Sequence, residues 1–171
     1  MDSYASHQPL LLHCLFLTKG QVLELGAGNY STLILHEVCA ALDRQLVTID
    51  CDEKWLNTFM DLASPKHELM CVGMTEEFRL RGTAQIRDHQ VWQECKRIDQ
   101  NTWGLVLVDH RPGERRKDDI LRLKDDAQII VVHDSQEPGY RYEPIFSKFA
   151  YRVDYKRFDT WTTALSQTIP L

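Results

Sequence analysis

Residues 22–33 read VLELGAGNYSTL. An apolar strand runs into a glycine turn, and Ser31 opens a stretch with helical apolar spacing at Leu33, Ile34, Val38, Ala41 and Leu42. A buried strand that turns through glycines into a helix is the opening βα unit of an open parallel sheet. Such a turn either holds a ligand at the helix start or is only a tight connection.

The rest of the chain repeats the unit. QLVTID (45–50) predicts a second strand, after which Trp55, Phe59 and Leu62 recur as one face of a helix would. HELMCVG (67–73) predicts a weaker third strand, and residues 84–98 predict a helix with Val91, Trp92, Cys95 and Ile98 inward. WGLVLVD (103–109) and AQIIVVHD (127–134) are near-continuous apolar runs, the pattern of strands covered on both faces. Asp118–Leu123 predicts a short helix between them. AYRVDYKRF (150–158) and TWTTALSQT (160–168) alternate, and predict a hairpin that turns at Asp159 in one or two residues.

Five βα units closed by an antiparallel pair specify an α/β fold. The expected sheet is open, doubly wound, mostly parallel and seven-stranded, with helices on both faces. The expected layout is a single domain over 1–171. Residues 1–20 form a packing or lid helix, 21–135 the ligand-binding βα units, and 136–171 the last helix and the hairpin.

The bulk composition is that of one globular core: 171 residues, 43% hydrophobic and 26% charged. A formal net charge of −5, from 25 acids and 20 bases, argues against attraction to nucleic acid or anionic lipid. The five cysteines (Cys14, Cys39, Cys51, Cys71, Cys95) stand singly. That pattern argues against a disulfide framework and for a reducing, cytoplasmic setting. The apolar run Leu10–Leu17 is broken by His13 and is too short to span a bilayer.

In an open parallel sheet, ligands bind beyond the carboxyl ends of the strands. Gly26, Asp50 and Asp109 stand at three such ends. Asp50 follows Gly26 by 24 residues, the spacing of a carboxylate that accepts hydrogen bonds from an adenosine ribose. Glu24, just ahead of the turn, would oppose a pyrophosphate there but suits a ligand carrying an ammonium or sulfonium. Ser31 stands where a dinucleotide-binding helix places its third glycine. These residues favour S-adenosylmethionine over a dinucleotide. A bare structural turn stays open as the alternative.

VLELGAGNYST, LVTIDCDEKWL, WGLVLVDH and AQIIVVHDS together resemble the class I S-adenosylmethionine-dependent methyltransferases. The resemblance runs from about Tyr4 to the terminal hairpin. It implies that Glu24, Gly26, Ala27 and Gly28 approach the methionine part of the cofactor, that Asp50 with Cys51 binds the ribose, and that Met74 and Thr75 flank the adenine. The opening YASHQPLL resembles the leading helix of small relatives, which makes Tyr4 and His7 candidate lid contacts.

The catalytic candidates follow the fourth and fifth strands: Asp109 and His110, then His133 and Asp134. VLVDH followed by VVHDS resembles the catechol O-methyltransferase type, in which aspartates at both strand ends and a following amide hold magnesium. By that resemblance Asp109, Asp134 and Ser135 would be the metal ligands. Two departures set against it: Ser135 replaces the amide, and Pro112 stands where the lysine base would fall. His110 and His133 are the alternative bases.

The loop HRPGERRKDD (110–119) concentrates Arg111, Arg115, Arg116 and Lys117; it offers Arg111 and Arg115 as forks for an anionic substrate, or is simply a solvated charged loop. No aromatic clamp of the N-P-P-Y kind follows the fourth strand, which argues against nucleic-acid substrates. The expected activity is methyl transfer to oxygen or nitrogen of a small molecule. A partner or regulatory protein of the same fold, and a nicotinamide-dependent oxidoreductase, are the rivals. Only 37 residues follow Asp134, so a lid would come from the N-terminal helix, from the 75–90 region, or from a second subunit of a homo-oligomer.

Overall fold

The computed structural model describes residues 3–72 and 90–171. Its strands are β1 (Val22–Leu25), β2 (Leu46–Asp50), β3 (His67–Cys71), β4 (Trp103–Val108), β5 (Ala127–His133), β6 (Tyr151–Tyr155) and β7 (Thr162–Ser166). They form one sheet in the order β3-β2-β1-β4-β5-β7-β6. The first five are parallel; β7 runs antiparallel to β5, and β6 to β7. From β1 the chain builds outward through β2 and β3, then crosses back to lay β4 on the other side of β1. The switch point therefore lies between β1 and β4, at their carboxyl ends.

Alternation along the buried strands sorts side chains onto two cores. Leu23, Leu25, Val106, Val108, Ile130 and Val132 face one side, where they meet Trp92, Ile98, Ile120 and Phe146. Val22, Leu105, Leu107, Ile129 and Val131 face the other. There they pack against Leu11, Cys14 and Leu15 of α1 (Gln8–Leu17) and Leu35 and Cys39 of α2 (Thr32–Ala41). Each fully buried large apolar side chain contributes about 1.5–3 kcal/mol, and both faces of the central strands collect it. Arg44 closes the exposed end of α1: its Nη1 donates to the Leu15 carbonyl at 2.7 Å and its Nε to the Gly20 carbonyl at 2.7 Å.

The helix expected after β2 is shorter and tighter than its apolar spacing suggests. Asp52 caps α3 (Glu53–Leu56) by accepting from the Trp55 amide, and the chain then tightens into a 3₁₀ turn over Asn57–Leu62. Trp55 and Phe59 still share a face, their rings edge to face at 5.3 Å. In the predicted helix 84–98, residues 90–94 are helical and a 3₁₀ turn follows at Lys96–Asp99; Trp92, Cys95 and Ile98 are buried as expected. α4 (Arg116–Arg122) begins two residues earlier than predicted, and α5 (Glu143–Phe146) follows β5.

The terminal hairpin forms, but not through a one- or two-residue turn at Asp159. Tyr155 pairs with Thr162, so residues 156–161 make the connection. Aromatic contacts hold it open: Lys156 sits over the Trp161 ring at 4.4 Å, and Phe158 meets Tyr155 at 6.0 Å. The Trp161 amide also donates to Gln136 Oε1, which ties the loop to the segment after β5. No helix among the described residues is long and apolar enough to cross a membrane.

Candidate functional site

The glycine turn sits at the switch point, and its backbone is built for close approach. Gly26 has φ +96°, and a Cβ there would lie 2.7 Å from main-chain atoms of Asp109 and His110. The ends of β1 and β4 thus touch through bare backbone, which only glycine allows. From the β2 side, Asp50 Oδ2 accepts from the Ala27 amide at 2.8 Å, and its Oδ1 from the Asp52 amide at 2.8 Å. Trp55 Nε1 donates to the Ala27 carbonyl at 2.7 Å, so the turn is held at both its amide and its carbonyl.

Beneath the turn lies a buried polar chain. Thr32 Oγ1 accepts from the Gly28 amide at 2.8 Å and donates to Glu24 Oε1 at 3.1 Å. Thr48 Oγ1 donates to Glu24 Oε2 at 2.7 Å and contacts His67 Nε2 at 2.9 Å. His67 Nδ1 in turn lies 3.0 Å from His36 Nδ1. Burial pushes the pKa of Glu24 up to about 7, against the pull of the Ser31, Thr48 and Thr32 hydroxyls. Burial and the neighbouring His36 lower that of His67 to about 4.

Above the turn opens a cleft of about 700 Å³, a size suited to a cofactor-sized ligand. Ala27, Gly28 and Trp55 line one side; Asp109, Arg116, His133 and Asp134 line the other, with Tyr4 and His7 contributed by the N-terminal segment. His133 Nδ1 lies 3.1 Å from Asp109 Oδ2, and His133 Nε2 lies 3.1 Å from the Ser6 hydroxyl. Arg116 bridges the two strand ends: Nη2 is 3.0 Å from Asp109 Oδ1 and Nη1 is 3.2 Å from Asp134 Oδ2. It also donates from Nε to the His110 carbonyl at 2.6 Å.

These contacts set the charges. Burial works against the Asp109 carboxylate, but the His133 hydrogen bond and the Arg116 guanidinium outweigh it and hold its pKa below the ordinary range. Burial likewise opposes a charged His133, and the bond and charge of Asp109 more than reverse that, raising its pKa. His7 goes the other way, to about 4, through burial and the nearby His133.

No protein-family model matches the chain, and no curated protein matches it in sequence. Solved structures do. An O-methyltransferase from Bacillus cereus in complex with SAH superposes with a TM-score of 0.58 at 16% identity, over 94% of this chain and 80% of that one. The O-methyltransferase TomG from Streptomyces achromogenes, involved in tomaymycin synthesis and in complex with SAM, gives 0.57 at 16% identity, over 94% and 78%. The METTL16 MTase domain gives 0.54 at 13%, over 97% and 67%.

The fold is that of the class I methyltransferases. Within this methyltransferase fold the expected cofactor residues separate into two groups. Ala27, Gly28, Tyr4 and His7 line the cleft. Gly26, Asp50 and Cys51 shape the turn itself, Asp50 through the Ala27 amide and Cys51 through its Sγ, 3.6 Å from the Arg111 carbonyl. Glu24 does not face a ligand as expected: it is fully buried, its oxygens taken by hydroxyls under the turn. Met74 and Thr75 lie outside the described residues.

Two further expectations are corrected. His110 points into the core, stacked on Trp92 at 4.3 Å with Nε2 3.2 Å from Asp119, so it is not at the cleft. Arg115 turns away as well, its Nε and Nη2 donating to the same Asp119 at 3.0 and 3.1 Å. Arg111 remains as the cleft-lining arginine of the expected pair. Arg116, one of the four cations of the 110–119 loop but not one of the two expected forks, takes the central position. The signal for it was indirect: two strand-end carboxylates brought side by side call for a cation between them.

The methyltransferase fold implies a methyl-donating cofactor, and the residues present fit one: a cradle too tight for a Cβ, a strand-end carboxylate beside it, and a cleft above. The oxygen-donor magnesium site of the catechol type does not fit. The Arg116 guanidinium already spans Asp109 and Asp134, the two carboxylates that would hold the ion.

Proposed function

We propose that the chain is an S-adenosylmethionine-dependent methyltransferase acting on an oxygen or nitrogen of a small, polar acceptor. One observation carries the reading: the Gly26 turn, pinned by Asp50 and packed on the β4 end, opens directly onto the Asp109–His133 pair across a single cleft. A cofactor site and a proton acceptor face each other there.

In this reading the main chain of Ala27 and Gly28 holds the amino-acid end of the cofactor, Trp55 walls it, and Asp50 accepts from the ribose. When bound, the cofactor supplies a methyl group on a sulfonium, whose C–S electron pair stays on sulfur as the acceptor's lone pair forms the new bond. The protein aligns the acceptor and takes its proton. His133, oriented by Asp109, is the group suited to receive it. Arg116 keeps Asp109 ionised, and Arg111 at the cleft offers a fork for an anionic part of the acceptor. The 700 Å³ of the cleft supports a small acceptor.

Calorimetric titration with S-adenosylhomocysteine, S-adenosylmethionine and NAD tests the reading. Binding of both adenosyl compounds and not of NAD is expected. Asp50→Ala should weaken S-adenosylhomocysteine by about 10- to 100-fold, the worth of a charged hydrogen bond. Binding of NAD alone overturns the proposal, and full affinity in Asp50→Ala removes the ribose assignment.

A further inference from the structure

The cleft-facing imidazoles are arranged as metal ligands are. His7, Asp109 and His133 each offer a donor atom, and the three atoms lie within 4.8 Å of one another. Bonds of about 2.1 Å spread over tetrahedral or octahedral angles separate neighbouring donors by about 3.0–3.4 Å. Asp109 Oδ2 and His133 Nδ1 already stand at 3.1 Å. His7, on the short segment ahead of α1, brings its donor atom within 4.8 Å of the others.

Each donor is also supported on its far side. Ser6 Oγ lies 3.1 Å from His133 Nε2, so it can accept that N–H and leave the Nδ1 lone pair facing Asp109. Arg116 holds Asp109 Oδ1 at 3.0 Å, which leaves Oδ2 as the ligand. Outer partners of this kind fix the tautomer and the carboxylate of metal ligands. The His7 ring is 2% exposed, edge-on to His133 with centroids 4.7 Å apart. Beyond the adjacent Tyr30 backbone, neither of its nitrogens makes a hydrogen bond among the described residues. A buried imidazole held only by the Tyr30 backbone, beside a carboxylate and a second imidazole, keeps one ring nitrogen for a cation.

We propose that His7, Asp109 and His133 form a binding site for a divalent first-row transition metal such as Zn²⁺ or Co²⁺, with its remaining coordination positions open to the cleft. Two nitrogens and one carboxylate oxygen select such an ion over Mg²⁺, which demands an oxygen octahedron. Arg116 separates the site from the oxygen-donor position between Asp109 and Asp134, where the guanidinium serves as a fixed cation. Three protein ligands with open positions define a catalytic rather than a structural metal site. The ion would take the acceptor oxygen as a ligand and lower its pKa, in place of proton uptake by His133. That role rests on the methyltransferase reading; occupancy of the site does not.

The test is titration of chelator-treated full-length protein with Co²⁺, read by its visible absorption, followed by competition with Zn²⁺ and with Mg²⁺. One equivalent of Co²⁺ should bind, be displaced by Zn²⁺, and be indifferent to Mg²⁺. His7→Ala should abolish uptake, with circular dichroism and the thermal melt verifying that the fold persists. Ser6→Ala, which keeps all three ligands, should weaken uptake about 10- to 100-fold. His36→Ala should leave it unchanged. Absence of Co²⁺ uptake by the folded wild type overturns the proposal, as does uptake that survives His7→Ala or is lost in His36→Ala. S-adenosylhomocysteine affinity, measured separately without metal, reports on the cofactor reading alone.

Discussion

The carboxyl of Glu24 has exchanged solvent for three hydroxyls, and the exchange leaves it an acid with a pKa of about 7 in place of 4.5. A raised pKa means that the folded state holds the proton more tightly than the unfolded chain does. Its contribution to stability is therefore complete below about pH 4.5 and is lost as pH rises through about 7, a difference of about 3 kcal/mol. His7 and His67, both depressed to about 4, act in the opposite sense: their contribution is present above 6.5 and is lost as pH falls toward 4. The clean measurement is thus a difference. Urea-unfolding free energies of wild type minus Glu24→Gln should fall steadily between pH 4.5 and 7 and then level. A flat difference would mean that Glu24 is ionised throughout. Nothing in VLEL announced this role, because the residue's spacing from Gly26 is the same whether it faces a ligand or the hydroxyls of Thr32 and Thr48.

At the scale of elements, the molecule depends on how closely strand ends are joined. Gly26→Ala would force a Cβ to within 2.7 Å of the β4 backbone at a positive φ. It is expected to cost about 2–4 kcal/mol in urea unfolding, and to abolish S-adenosylhomocysteine binding even where the protein stays folded. Arg116 does between β4 and β5 what Gly26 does between β1 and β4. Arg116→Leu leaves the Asp109 and Asp134 carboxylates facing each other and should destabilise by about 3 kcal/mol. Adding Asp109→Asn should recover part of that loss, since one of the two uncompensated charges is then gone.

Much of this scale was legible in the chain. Continuous apolar runs such as WGLVLV and AQIIVV admit one reading, a strand buried on both faces, and the parallel order followed from the helices between them. The hairpin connection was not legible. Its length is set by Lys156 over Trp161 and by Gln136 reaching the Trp161 amide, contacts between segments that turn propensities do not see.

For the whole molecule, the sheet order brings five strand ends to one edge, and two of them, Asp109 and His133, meet at the cleft. Asp109 and His133 were recognisable because a carboxylate or imidazole terminating a buried strand sits where ligands bind. His110 and Arg115 misled because adjacent residues in a loop point in opposite directions. Asp119, one turn into α4, draws both of them inward. Side-chain direction is decided by such partners, and no spacing rule encodes them.

The path from Glu24 through Thr48 and His67 to His36 has one further consequence. All of its links are groups that can both give and take a proton. With Glu24 ionised, Thr48 donates to it, His67 Nε2–H donates to Thr48, and His36 Nδ1–H donates to His67. With Glu24 protonated, each of those bonds reverses, and both imidazoles exchange tautomers together. The row is a hydrogen-bonded route along which a proton can pass between the buried acid and the half-buried His36 while the fold stays shut. Nitrogen-15 chemical shifts of the His67 ring should report a tautomer change that follows the Glu24 carboxyl, absent in Thr48→Val.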